Sequence, residues 1–275
     1  MTDQPKKFML PPQGEPVIPF FNWGGMRALY VKEVRRFFKV HLQTIWAPAI
    51  TTLLYLVIFT VALGSGGRQV LGVPFASFIA PGLIMMGMMQ NAFANSSFSL
   101  LAGKMQGTII DYLMPPLSSG ELLAALVGAA LTRAVLVGLA IWLAMLFWPG
   151  VEVVPQHPVA MLWFGLMGAI MLSLLGVITS IWADKFDHAA AVTNFVVAPL
   201  SLLSGTFYSV DRLHPGFQAI SHANPFFYVI SGFRFGFIGL SDSPILVGAI
   251  ALLLLNAVLT TVSYALLDKG WKIKS

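Results

Sequence analysis

The sequence predicts an all-α integral membrane protein, and three observations predict it. Hydrophobic residues make up 57% of its 275 residues and charged ones only 10%, with a mean hydropathy of +0.81, against about 25% charged residues in an ordinary soluble domain. The apolar residues fall in about six runs, each near the ~20 residues that cross a ~30 Å hydrocarbon core. Lysine and arginine gather in alternate connections between those runs, the asymmetry that sets membrane orientation.

Each element follows in order. Residues 1–23 are polar and Pro-rich, a composition that cannot bury enough surface to fold alone, and they read as a flexible tail preceding a transmembrane domain over 24–275. Pro11, Pro12, Pro16 and Pro19 interrupt this tail, so no apolar core of a cleavable signal peptide is expected. Over residues 26–40 a helical wheel gathers Met26, Leu29, Tyr30, Val34, Phe37 and Val40 on one arc and Lys32, Arg35, Arg36 and Lys39 on the other. This predicts an amphipathic helix in the membrane interface, its basic face toward anionic lipid headgroups.

The spans are placed at 44–63, 75–100, 122–147, 159–182, 189–208 and 245–267. With the N-terminus inside, the connections 1–43, 101–121, 183–188 and 268–275 are cytoplasmic. They carry twelve lysines and arginines, among them Lys104, Lys185, Lys269, Lys272 and Lys274, against Arg68, Arg212 and Arg234 outside. Both termini are therefore expected in the cytoplasm.

The run from Pro225 to Gly239 is apolar but would be only ~22 Å long as a helix, short of the core thickness. A seventh span there would also put Lys269, Lys272 and Lys274 outside. Asn224 is a suitable N-cap and Pro225 a suitable first residue. Residues 211–240 are thus expected to form two short helices that dip into the outer leaflet and return, packed against the other spans because such backbone is tolerated only where protein or a cavity surrounds it.

Several chemistries are excluded. There is no cysteine and no phosphate-binding GxxxxGK[ST] loop, and no His/Asp/Glu cluster has metal-ligand spacing. The eleven acids all lie outside the predicted spans, which argues against a secondary transporter that carries its coupling ion on an intramembrane carboxylate. An intramembrane lipid-modifying enzyme would need a catalytic pair that is not visible. The excess positive charge, 16 basic against 11 acidic side chains, flanks the spans, and no nucleic-acid partner is expected.

Two features carry the candidate functional residues. Arg133 lies about eleven residues into the third span, ~18 Å from its inner end. It must face protein, water or an anionic ligand. One reading is a structural arginine bonded to carbonyls or to the amides of Gln90, Asn91, Asn95 and Asn194; the other is an anionic headgroup site on a transport path. The cytoplasmic segment 103–121 carries Ile109, Ile110, Tyr112, Leu113 and Met114, too apolar for a solvated turn, beside Asp111 and ended by Pro115-Pro116. A short helix here suits either a partner's groove or the lipid surface.

The six spans, the amphipathic helix before them, the short cytoplasmic helix and the broken outer segment together resemble the ABC-2 type permease, the membrane subunit of a bacterial ABC exporter. The specific part is LLSGTFYSVDRLHPGFQAISHANPFFYVISGFR, where Gly205, Asn224, Pro225, Phe226, Tyr228 and Arg234 match the family's small-residue turn, Asn-Pro, aromatic pair and following arginine. The resemblance covers about residues 26–270. It implies a homodimer in the bacterial inner membrane, joined on the cytoplasmic side by two copies of a separate ATPase that binds the ATP and magnesium, this chain binding no cofactor and carrying out no bond chemistry. The 26–40 helix is then the connecting helix and 108–114 the coupling helix, with Asp111 and Tyr112 against the ATPase. The outer helix with Arg234 becomes a gate over the exit path, Arg234 reaching headgroups or carbonyls. The family includes exporters of polysaccharides, lipo-oligosaccharides, lipids and drugs, and the resemblance implies a lipid, saccharide-linked lipid or amphipathic drug as the cargo here.

Overall fold

The computed structural model describes residues 21–63, 69–148 and 150–273; the predicted tail therefore lies almost wholly outside the described residues, as does Arg68. The described chain is a bundle of helices with one two-stranded hairpin, β1 (Gln69–Val70) and β2 (Val73–Pro74). The first helix, α1 (Trp23–Phe38), leads through a π-helical turn, Leu42–Trp46, into α2 (Ala47–Leu63). Then come α3 (Phe75–Met105), α4 (Ile110–Leu113), α5 (Ser119–Leu146) and α6 (Pro158–Trp182). The fifth expected span is α7 (Phe186–Val192), a second π turn, Thr193–Val197, and α8 (Ala198–Leu202); α9 (Pro215–Ala223), α10 (Pro225–Ile238) and α11 (Ile245–Lys269) complete the chain.

Among the described residues, four helical segments are long and apolar enough to cross a membrane: Leu42–Ala62, α5, α6 and α11. The 31-residue α3 is longer than any of them but carries Gln90, Asn91, Asn95 and a run of serines, and it is the centre of the bundle, with most of its residues buried. It packs on α2, α5, α6 and α10. The fifth segment is shorter and more broken than the 189–208 span expected, because its regular helix stops at Leu202 and Gly205, at φ +76°, turns the chain.

Both π turns precede an Ala-Pro pair, Ala47-Pro48 and Ala198-Pro199. Proline has no N–H to give the carbonyl four residues back and its ring presses on that carbonyl. Opening the turn to i→i+5 bonding, as in Ala47 N–H to Leu42 O and Ala198 N–H to Thr193 O, relieves the crowding.

Small residues let α3, α6 and α10 approach closely. A methyl group at Gly176 would stand 2.7 Å from the Phe93 carbonyl, and one at Gly236 2.7 Å from the Met161 backbone. Met85, Met86, Met88 and Met89 are all buried filler of this core, as suits an unbranched, adaptable side chain.

The ends sort to two sides. Asn22 donates its side-chain amide to Pro116 O and its backbone N–H to Glu121, Ser119 Oγ donates to Asp268, and Asp184 takes ion pairs from Lys104 and Lys272. The start of the described chain, the α3–α5 connection, the α6–α7 connection and the end of α11 with Lys272 therefore share one end of the bundle, the grouping that the lysine and arginine pattern predicts. The hairpin, the α5–α6 loop and the loop between α10 and α11 share the other.

The opening of the outer element is as expected. Asn224 Oδ1 accepts from Phe226 N–H at 3.0 Å, Asn224 Nδ2 donates to Leu200 O at 2.8 Å, and Gly239, at φ +68°, closes α10. The His214-Pro215-Gly216 sequence opens α9, with His214 as its cap. Running antiparallel to α6, α10 sets Val229 on Gly168 and Gly236 on Met161. Gly168 lies ten residues, ~15 Å, into α6. Helix α10 therefore runs beside the first ten residues of α6, counted from the end that holds the α5–α6 loop.

Candidate functional site

The polar interior of the bundle is built on one face of α3. Asn91 and Asn95 are four residues apart, so their side chains stack on that face. Arg133 of α5 donates Nη2–H to Asn91 Oδ1 at 2.8 Å, and Asn91 Nδ2 is committed to Gly87 O at 3.0 Å. Arg36 of α1 donates to Asn95 O at 2.9 Å and approaches Asn95 Oδ1 at 3.4 Å. Gln90 is half-buried beside them, but Asn194 is exposed on the second π turn, away from this group. Of the four amides expected around Arg133, the structure joins Asn91 to it directly, gives Asn95 to Arg36, and separates Asn194 because the broken fifth segment turns that residue outward.

One turn farther from the shared end, α2, α3 and α8 enclose an open cleft of about 560 Å³, lined by Thr51, Tyr55, Phe59, Met86, Gln90 and Asn91 among others. Leu202 lines this cleft and is exposed, and the helices on either side expose further apolar side chains, Ile50, Leu54 and Ile58 on α2 and Phe195 on the fifth segment.

Toward the shared end, α1 lies on α5 with Leu29 and Phe37 buried. Its basic face is more divided than the wheel implies. Arg35 and Lys39 are exposed, and Lys32 sits 3.8 Å above the Tyr112 ring, but Arg36 turns inward. What turns it is Glu33, one of the acids outside the expected spans, which is fully buried. Glu33 accepts from Arg36 Nε at 3.0 Å, Ser99 Oγ at 2.8 Å and Tyr112 Oη at 2.9 Å. One carboxylate thus joins α1, α3 and α4, with Arg36 and Ser99 on one oxygen and Tyr112 on the other. The signal for it was in the sequence: Leu29, Glu33 and Phe37 are spaced by four and lie on one stripe.

Helix α4 is only four residues long, shorter than the 108–114 expected. Ile110, Asp111 and Met114 are exposed, Ile109 and Leu113 half-buried, and Tyr112 buried. The Tyr112 ring is packed into the bundle, its hydroxyl drawn to Glu33. Burial first and the Glu33 carboxylate second hold its phenol well above the usual tyrosine range, so it stays a neutral donor.

Helix α10 is also tied into the bundle. Arg234 is 1% exposed; it stacks on the Phe78 ring, donates Nε–H to Phe78 O at 3.2 Å and Nη2–H to Gly205 O at 2.6 Å, and pairs through Nη1 with Asp242 Oδ2 at 2.9 Å. Ser209 Oγ donates to the other Asp242 oxygen at 2.8 Å. Of the two destinations expected for Arg234, carbonyls rather than headgroups receive it. Asp242, which sequence placed in an outer loop, supplies a buried counter-ion. Asn224 and Phe226 are buried, and Pro225 and Tyr228 half-buried. Among the described residues no cluster of acids and histidines is arranged to hold a metal ion.

The comparisons with known proteins come to the same place. Residues 25–238 match the family model described as ABC-2 type transporter. The chain is similar to the inner membrane transport permease YadH of Escherichia coli K12, 34% identical over 253 residues that cover 92% of this chain and 98% of the relative. It is more distantly similar to nodulation protein J of Rhizobium leguminosarum bv. viciae, 28% identical over 196 residues covering 65% and 70%.

Proposed function

From the premise that this chain belongs to the ABC-2 type transporter family, we propose that it is a multi-pass inner-membrane subunit that moves a lipid, saccharide-linked lipid or amphipathic drug outward with ATP hydrolysed by a separate cytoplasmic protein. In this reading α2, α3, α5, α6, the α7–α8 segment and α11 make six crossings, and the shared end bearing Lys104, Lys272 and α4 is cytoplasmic. Two copies of the chain face each other across the exposed apolar side chains of α2 and the fifth segment, and each binds one ATPase with its bound ATP and magnesium.

The observation that carries the reading is α4. It presents Ile110 and Met114, 58% and 78% exposed, at the end of the bundle, while its third residue is anchored through Tyr112 and Glu33 to α1 and α3. An apolar knob outside and a polar tether inside are what a helix needs to pass a partner's movement to the spans. Binding of ATP by the partner favours one arrangement of these helices and its loss the other, by differential affinity. The outer element over α3 and α6 then acts as the gate on the exit path.

An ion-driven transporter is the weaker alternative. Among the described residues the buried carboxylates are already engaged: Glu33 and Asp242 are each paired with an arginine, and Glu121 accepts the backbone N–H groups of Asn22 and Ser118 at a helix cap, which leaves none free to carry a coupling ion.

The test is co-expression with a candidate ATPase, co-purification, and ATP turnover in nanodiscs. Ile110→Asp with Met114→Asp is expected to abolish co-purification while the chain stays folded. If that pair, and separately Asp111→Ala with Tyr112→Ala, leaves co-purification and stimulated turnover at wild-type levels, α4 is not the coupling element.

A further inference from the structure

We propose that the Asn91–Asn95 face of α3, flanked by Arg36 and Arg133, is a binding site for an oxyanion carried by a membrane amphiphile, a phosphate or carboxylate headgroup held inside the bundle. The site's chemistry rests on the geometry alone; its role as a stop on the transport path rests on the exporter reading above.

The inventory of donors and acceptors carries the assignment. The two arginines are joined to residues one turn apart on α3, Arg133 through Asn91 Oδ1 and Arg36 through Asn95. Those bonds use the asparagine oxygens, and Asn91 Nδ2 is taken by Gly87 O. What remains are donors: Asn95 Nδ2 and Arg133 Nε are buried and have no hydrogen-bond partner among the described residues. Asn95 as a whole is 1% exposed. Native structures rarely leave buried polar groups unpaired, and a group so left asks for a ligand, ion or water.

Charge separates these. Arg36 has Glu33, whose oxygens are already shared with Ser99 and Tyr112. Arg133 has no acidic partner among the described residues. Water would satisfy the two free donors and leave the cation uncompensated within the bilayer, where charges pair with one another or mark ligand paths. An oxyanion supplies acceptors and the missing negative charge together, and guanidinium is the group best matched to it.

Position favours an amphiphile over a free ion. Asn95 lies ten residues from the end of α3, ~15 Å, and Arg133 fourteen residues from the start of α5, ~21 Å, both measured from the shared end. The Arg36 side chain is 33% exposed, which leaves a way in. Asn91 itself lines the α2–α3–α8 cleft, whose wall continues with Tyr55, Phe59 and Met86. A headgroup at the asparagines would have an apolar wall for its chain.

The experiment uses the full chain in nanodiscs, without an ATPase, so that its failure is distinct from failure of the exporter reading, which ATP turnover tests. In discs of phosphatidylcholine with a minor fraction of phosphatidylglycerol, native mass spectrometry counts retained lipids. The wild type is expected to retain phosphatidylglycerol about tenfold above its share, the size of one charge-assisted bond. Arg133→Gln should remove that enrichment. Asn95→Asp places a carboxylate inside the site and should remove it too, while holding or raising the thermal midpoint, which separates site loss from misfolding. Retention in proportion to the lipid mixture, or enrichment that survives both variants, overturns the proposal. In phosphatidylcholine discs, stabilisation by inorganic phosphate that both variants abolish assigns a soluble anion and overturns the amphiphile.

Discussion

Replacing Arg234 by methionine tests whether the outer element is held by one buried ion pair. Both partners are 1% exposed in their side chains, so solvent screening does not discount the interaction. Removing the guanidinium leaves the Asp242 carboxylate buried with Ser209 as its remaining side-chain donor, and frees the Phe78 and Gly205 carbonyls. A broken buried pair of this kind costs about 3–5 kcal/mol. The reverse change, Asp242→Asn, is expected to cost less, ~1–3 kcal/mol. Arg234 then keeps two carbonyls and the Phe78 ring, and the asparagine oxygen still accepts from Ser209. Removing both charges, Arg234→Met with Asp242→Leu, should recover at least half of the loss, since no unpaired charge remains. The assay is denaturant unfolding of the purified chain in mild detergent, followed by helical circular dichroism, with wild type, Arg234→Met, a single Asp242→Leu variant and the double variant forming a double-mutant cycle. If the double variant is no more stable than Arg234→Met, or Arg234→Met unfolds within ~0.5 kcal/mol of wild type, the pair does not hold the element and the argument from burial is wrong.

Three other outcomes follow from the same structure. Glu33→Gln should destabilise the chain by about 2–3 kcal/mol, because an amide offers one acceptor to three donors and Arg36 keeps only partial solvent access; Tyr112→Phe should cost ~1 kcal/mol, and the double variant less than the sum if they share one network. Gly236→Ala should cost at least ~1–3 kcal/mol, as its methyl group meets the Met161 backbone, whereas Gly138→Ala meets the Met88 side chain, which can move; equal thermal midpoints for the two would contradict the packing described. Because the Tyr112 phenol is held above its ordinary range, its neutral form is favoured in the folded chain. Its contribution is complete below about pH 10 and lost as pH rises beyond. Thermal midpoints at about pH 8 and pH 11 should therefore fall farther for wild type than for Tyr112→Phe.

Much of the architecture was legible because membrane constraints act along the chain. The starts of α6 and α10 and the end of α11 fall within one or two residues of their sequence positions. Apolar length, Asn-Pro capping and a terminal glycine are local signals. The break in the fifth segment was less legible. Pro199 marked a bend, but the π turn before it depends on which carbonyl the neighbouring turn can release, and the early stop at Leu202 depends on Asn224 Nδ2 and Ser221 Oγ reaching back to the Leu200 and Leu203 carbonyls.

The candidate sites divide the same way. Arg133 stood out in the sequence as a charge in an apolar run, and the apolar residues of α4 stood out as misplaced in a loop. Glu33 and Asp242 did not, since an acid near the end of a span looks solvent-facing whatever lies across from it.

By itself, then, the sequence determined that this is a helical membrane protein, where some of its helices begin or end, and that one arginine lies deep within it. Only the tertiary structure decided which polar groups are buried and what they bind. Glu33 meets Ser99 and Tyr112 from 66 and 79 residues away, and Arg234 meets the Phe78 carbonyl from 156. Hydropathy is a property of each residue and its neighbours, whereas the cost of burying a charge is set by partners that folding brings from elsewhere in the chain.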